Sequence, residues 1–90
     1  LGARTATREG APVHLTPTEF RLLASLAKHL GLVATHHRLL AEVWGPTHVA
    51  DTHYLRLYMK QLRAKLEADS VRPRYLLTET GVGYRLVTDD

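Results

Sequence analysis

The stretch Asp51-Thr52-His53-Tyr54-Leu55-Arg56-Leu57-Tyr58-Met59-Lys60-Gln61-Leu62-Arg63-Ala64-Lys65-Leu66-Glu67 decides the fold. Leu55, Met59, Leu62 and Leu66 recur at i, i+4, i+7 and i+11, which is one face of an α-helix. Asp51 stands where such a helix needs an N-cap. At about 100° per residue, the opposite face carries His53, Leu57, Lys60, Gln61 and Ala64, with Arg56 and Arg63 on one flank. No acid falls between Asp51 and Glu67, so Arg56, Lys60, Arg63 and Lys65 give a local charge of +4, against +3 for the whole chain.

That outward face mixes cations with amide, imidazole and aliphatic groups. A DNA major groove uses the same mixture: phosphates take cations, base edges take hydrogen-bonding groups, and thymine methyls take aliphatic contact. A helix about 10 to 12 Å across fits a groove about 12 Å wide. A merely solvated basic face has the same composition, and charge alone does not separate the two.

Upstream, Thr16-Pro17-Thr18-Glu19 reads as a capping box with proline at the first helical position. Phe20, Leu23, Ala24, Ala27 and Leu30 then form an apolar stripe, with Gly31 as the left-handed stop. Thr35 caps a shorter helix of about ten residues that turns Leu39, Leu40, Val43 and Trp44 inward and is closed by Gly45-Pro46. Residues 4–8 and 13–15 read as extended arms around a Glu9-Gly10-Ala11-Pro12 turn. Downstream, Arg72-Pro73-Arg74 stops the helix. Residues 75–78 and 84–87 read as strands around a tip at residues 79–83, with glycines free to take positive φ.

A shorter helix, a loop, a longer basic helix and a terminal hairpin make an α+β winged helix-turn-helix, in which the second helix of the motif reads base edges. The expected organisation is one domain over residues 1–90. Residues 1–15 form a short antiparallel hairpin, residues 16–68 a three-helix core, and residues 72–88 the wing. Composition narrows the function. At 44% hydrophobic and 23% charged, the chain is a globular domain without a membrane-spanning run. Zero cysteines exclude disulfides, thiolate metal sites and cysteine nucleophiles, and are compatible with the cytoplasm. The Leu1 start, with no signal peptide, reads as a piece of a longer protein.

Leu15 to Leu23, Leu39-Leu40 with Val43-Trp44-Gly45, Leu62-Arg63 with Lys65-Leu66-Glu67, and Thr80-Gly81-Val82-Gly83-Tyr84-Arg85 resemble the OmpR/PhoB family over about residues 13–87. These are winged-helix output domains of bacterial two-component response regulators. Within the family, residues 53–59, Arg72-Pro73-Arg74-Tyr75 and Thr78-Glu79-Thr80-Gly81 are most similar to the regulators of potassium transport.

The resemblance implies sequence-specific binding to double-stranded DNA at tandem half-sites, as a dimer. Residues 51–67 would lie in the major groove and residues 75–87 on the adjacent backbone or minor groove. It also implies a receiver domain, a sensor histidine kinase acting on the full-length protein, a cytoplasmic location and no membrane partner, and it makes residues 1–15 the last portion of a truncated N-terminal antiparallel sheet that has four strands in the family. By position it carries DNA contacts to Trp44, His53, Tyr54, Arg56, Leu57, Tyr58, Lys60, Gln61 and Arg63, and on the wing to Thr78, Thr80 and Tyr84. Thr80 stands where family members often carry a minor-groove arginine, so a strong minor-groove reader is not expected; Arg74 and Arg85 are further backbone candidates. Residues 45–50 match a loop through which some members touch RNA polymerase.

Several residues have plainer readings. Trp44 packs, or donates its indole N–H to phosphate, or does both. Tyr54 and Tyr58 suit a helix rim, and the wheel puts Tyr58 near the core. His36-His37 are neighbours about 100° apart, a poor spacing for paired metal ligands, and suit a phosphate-facing helix start better. No nucleophile elbow or glycine-rich phosphate loop is present, so neither an enzyme nor a cofactor is expected. The rival function is a winged helix that contacts protein or RNA.

Overall fold

The computed structural model describes residues 5–8, 11–48 and 50–88. Its first helix, α1 (Pro17–Lys28), opens with the expected capping box: Thr16 Oγ1 accepts from the Glu19 amide at 3.3 Å, and Glu19 Oε1 accepts from the Thr16 amide at 2.9 Å. Gly31 takes φ +81° beyond its end. The buried face differs from the expected stripe. Glu19, Leu22, Leu23, Ser25 and Leu26 are buried, whereas Ala24 and Ala27 are half-buried and Leu30 is 51% exposed. The apolar residues between Phe20 and Ala27 admit two adjacent helical stripes, and packing selects the one richer in leucine. Leu30 lies past the last helical turn and has no layer to enter.

Helix α2 (His36–Val43) is capped by Thr35, whose hydroxyl accepts from the Arg38 amide at 3.1 Å. It buries Leu39, Leu40 and Val43, and Gly45 turns the chain away with φ +106°. After a short 3-10 turn at Pro46–His48, α3 (Thr52–Leu66) buries Leu55, Met59 and Leu62, with Leu66 partly buried. Asp51 holds the N-cap position without capping. Its carboxylate instead meets His48 Nδ1 at 2.9 Å, so the loop competes successfully for the oxygen that the helix lacks.

The wing strands, β4 (Leu76–Glu79) and β5 (Gly83–Leu86), each start one residue away from expectation. A three-residue strand, β3 (Val33–Thr35), pairs with β5 in a sheet ordered β3-β5-β4. Three residues are too few to show alternation in sequence, so β3 was not anticipated. Gly81 takes φ +77° at the tip, as expected of a turn glycine. Gly83 is required for a different reason: a Cβ there would lie 1.9 Å from the Ala34 carbonyl oxygen across the β3–β5 pair.

Two further strands, β1 (Thr5–Arg8) and β2 (Ala11–His14), form an antiparallel pair with Arg8 opposite Ala11. Ala11 and Pro12 belong to β2 rather than to the expected turn, whose other residues, Glu9 and Gly10, lie outside the described ones. Each strand of a two-stranded sheet is an edge, where proline is tolerated. Leu15 leaves the strand and is fully buried in the core. The architecture is the expected winged helix, three helices with an antiparallel wing.

Gly83→Ala should force β3 off β5 and lower the melting temperature by several degrees, read by circular dichroism, whereas Gly81→Ala should cost less because only its φ is strained.

Candidate nucleic-acid interface

Because Leu55, Met59 and Leu62 anchor α3 inward, its opposite face is open. His53, Arg56 and Lys60 are exposed, Tyr54 and Leu57 are 46% and 44% exposed, and Gln61 is half-buried at the rim. The face read from the helical wheel therefore looks outward.

The N-terminal half of α3 is braced by aromatic contacts. Trp44, at the end of α2, stacks on Tyr54 with centroids 6.4 Å apart and meets Tyr58 at 5.3 Å. Trp44 and Tyr58 are both packed against the core, so the packing reading of each is correct, and Tyr58 sits where the wheel put it. Tyr54 is the most exposed of the three.

The C-terminal half of α3 meets the wing. Arg63 donates from Nε to the Leu76 carbonyl at 3.0 Å and from Nη2 to Thr78 Oγ1 at 2.6 Å, and its guanidinium lies 5.7 Å from the Tyr84 ring centroid. Tyr84 is a core residue, 6% exposed, with the edge of His36 against it at 5.5 Å. The structure thus brings Arg63, Thr78 and Tyr84 together. It leaves Thr80 exposed in the tip turn, and His37 exposed beside the half-buried His36. Among the described residues no three His, Asp or Glu side chains converge as a metal site requires, and no helix is long and apolar enough to cross a membrane.

Three positions escaped the sequence reading. Glu67, read only as the end of the long helix, is 3% exposed and accepts from the amides of Arg74, Tyr75 and Leu76 at 2.9, 3.0 and 2.7 Å. Lys65, counted among the basic residues of α3, reaches Glu19 at 2.5 Å and the His14 carbonyl at 3.2 Å. Ser25 donates to Glu42 at 2.5 Å across the α1–α2 contact. Such partners are distant in sequence, and local pattern carries no signal for them.

Every described carboxylate is engaged within the chain. Glu19 holds Lys65, Glu42 faces Ser25, Lys28 and Arg38, and Asp51 holds His48. Glu67 holds backbone amides, Asp69 caps the Val71 amide, and Glu79 pairs with Arg85 at 2.9 Å. Arg56 and Lys60 are left as the α3 cations with no hydrogen bond or ion pair to another described residue. Two uncompensated cations thus share the open face of α3, while exposed Arg21 on α1 and Arg72 beyond α3 stand apart from that face.

This arrangement belongs to a known class of domain. The family described as "Transcriptional regulatory protein, C terminal" matches residues 10–86, and the chain belongs to it. Its relatives include the KDP operon transcriptional regulatory protein KdpE of Escherichia coli K12, 55% identical over 87 residues, covering 97% of this chain and 39% of the relative. The chain thus spans about two fifths of the length of that curated protein. Among solved structures, the Klebsiella pneumoniae RstA DNA-binding domain in complex with the RstA box superimposes with a TM-score of 0.83 at 26% identity, covering 93% of this chain and 83% of that one. DrrB, an OmpR/PhoB homologue from Thermotoga maritima, gives 0.71 at 37% identity, covering 89% and 36%.

Two carboxylates that fix the helices titrate below their ordinary value. For Glu19, burial pushes the pKa up, but the hydrogen bond from Lys65 and those at Thr16 outweigh it. For Glu42, the hydrogen bond from Ser25 leads, opposed by burial and helped by Lys28. A carboxyl depressed by folding stabilises the native state above its unfolded pKa, and that contribution fades as pH falls through the lower, folded value. The melting temperature should therefore drop on acidification below about pH 4.5. Glu19→Gln should melt earlier at neutral pH, and its deficit against the parent should narrow as the pH falls; a constant deficit would contradict this account.

Proposed function

We propose that this chain is the sequence-specific, double-stranded DNA-binding output domain of a two-component response regulator that controls potassium-transport genes. The observation that carries the reading is the sorting of charge: carboxylates turned to internal partners, and Arg56 and Lys60 left on an open helical face beside amide, imidazole and aliphatic groups. Likeness to an RstA domain bound to its RstA box and to a KDP operon regulator supports it.

In this reading α3 lies in the major groove. Arg56 and Lys60 take phosphates, His53 and Gln61 read base edges, and Leu57 and Tyr54 contact thymine methyls. The wing approaches the neighbouring backbone or minor groove through Thr80 at its tip. Trp44, Tyr58, Arg63, Thr78 and Tyr84 support the two elements. The relatives' greater length supports a receiver domain in the full protein, answering to a sensor histidine kinase in the cytoplasm, with β1 and β2 as part of a larger sheet. Tandem half-sites and a polymerase contact through residues 45–50 belong to the same reading.

Selecting duplexes from a random pool, then titrating with salt, tests it. Binding should fall linearly in log salt, and Lys60→Ala or Arg56→Ala should flatten the slope by about 0.9 each while weakening all duplexes alike. Gln61→Ala and His53→Ala should cost about 1 to 3 kcal/mol on the selected sequence and little on random DNA. Salt-insensitive binding, or enrichment of RNA over duplex DNA, would overturn the reading.

A further inference from the structure

The last turn of α3 covers an open strand edge. In the sheet order β3-β5-β4, β4 has no strand on its outer side among the described residues. The Val87 amide bonds the Tyr75 carbonyl, and in an antiparallel ladder bonded and non-bonded pairs alternate. Leu76, the next residue, therefore points its amide and carbonyl away from β5. Both groups are satisfied at the C-terminal end of α3: Glu67, its C-cap residue, accepts from the Leu76 amide at 2.7 Å, and Arg63 Nε donates to the Leu76 carbonyl at 3.0 Å.

Arg63 does more than fill one carbonyl. Its Nη2 reaches Thr78, the next residue on the same open edge, and its guanidinium carbon lies 5.7 Å from the ring centroid of Tyr84, which stands opposite Thr78 on β5. One side chain thus touches both wing strands from the reading helix, using two donors of the fork that lysine lacks. Tyr84 passes the contact on to His36 at the start of α2.

Resting on the DNA-binding reading above, we infer that Arg63 is a positioning residue that fixes the wing against α3, so that base reading and the wing's backbone contact fall in one register on the duplex, rather than a phosphate ligand. Its charge is spent on the wing, and its geometry is what the duplex senses.

Arg63→Lys separates the two roles, since it keeps the charge and loses the fork. Amide exchange is measured on the free domain, and hydroxyl-radical protection is mapped on the selected duplex. Arg63→Lys and Arg63→Ala should both speed exchange of the Leu76 to Leu86 amides by about tenfold. Both should lose protection of the nucleotides beside the wing while keeping it beside α3. Thr78→Val, a milder change on an exposed residue, should shift both readouts the same way and add little to Arg63→Ala. The inference is overturned if Arg63→Lys matches the parent while Arg63→Ala flattens the salt slope by about 0.9 with unchanged wing exchange. It is equally overturned if protection weakens evenly over the whole site, as a purely stabilising role would cause. A parent domain that binds no duplex sinks the DNA reading and this role together; a parent that binds while Arg63→Lys is indistinguishable from it sinks this role alone.

Discussion

The structure turns on how one strand edge is satisfied. A two-stranded wing projecting from a small helical core leaves main-chain groups of its outer strand without ladder partners, and buried groups of that kind are costly. Here the end of α3 supplies an acceptor at Glu67 and a donor at Arg63, four residues apart and so on one side of the helix. The length of α3, the course of the chain from Glu67 to Leu76 and the lie of the wing are consequently set together. The two elements proposed to meet DNA behave as one body because one needs the other's side chains to complete its hydrogen bonding.

The same economy governs charge. Burying Glu19 is tolerable because Lys65 and the Thr16 amide answer it, which removes one cation from the basic helix and places it at the C-terminal end, where the helix dipole favours it. Glu42 similarly gathers Lys28 and Arg38 around the α1–α2 contact. The net charge of +3 therefore understates the field at α3, because acids elsewhere are neutralised locally.

Much of this was legible from the residues. The capping box at Thr16 and Glu19, the inward set Leu55, Met59 and Leu62, and the outward set around Leu57 and Lys60 all follow from helical period, which is a local property. The α1 stripe failed because the apolar residues between Phe20 and Ala27 fit two adjacent faces, and only the Leu22 and Leu26 packing chooses between them. Asp51 failed as a cap because His48, three residues before it, outbid the helix. Glu67 and Lys65 were opaque for another reason: a carboxylate or ammonium at a helix end looks solvated until the strand or helix it answers is in place. Of the interface candidates, exposure was readable for His53, Leu57 and Lys60. The engagement of Arg63 was hidden, because Leu76 and Thr78 are its neighbours only after the wing has folded back.

Lys65 also binds the His14 carbonyl, at the end of β2, while holding Glu19 in the first turn of α1. A single ammonium thereby rivets the polypeptide's way into the helical bundle to the tail of α3. The fifteen-residue helix is therefore pinned near both ends, by this ammonium at its tail and by the Trp44 indole against Tyr54 and Tyr58 towards its head, which leaves its outward face a rigid template.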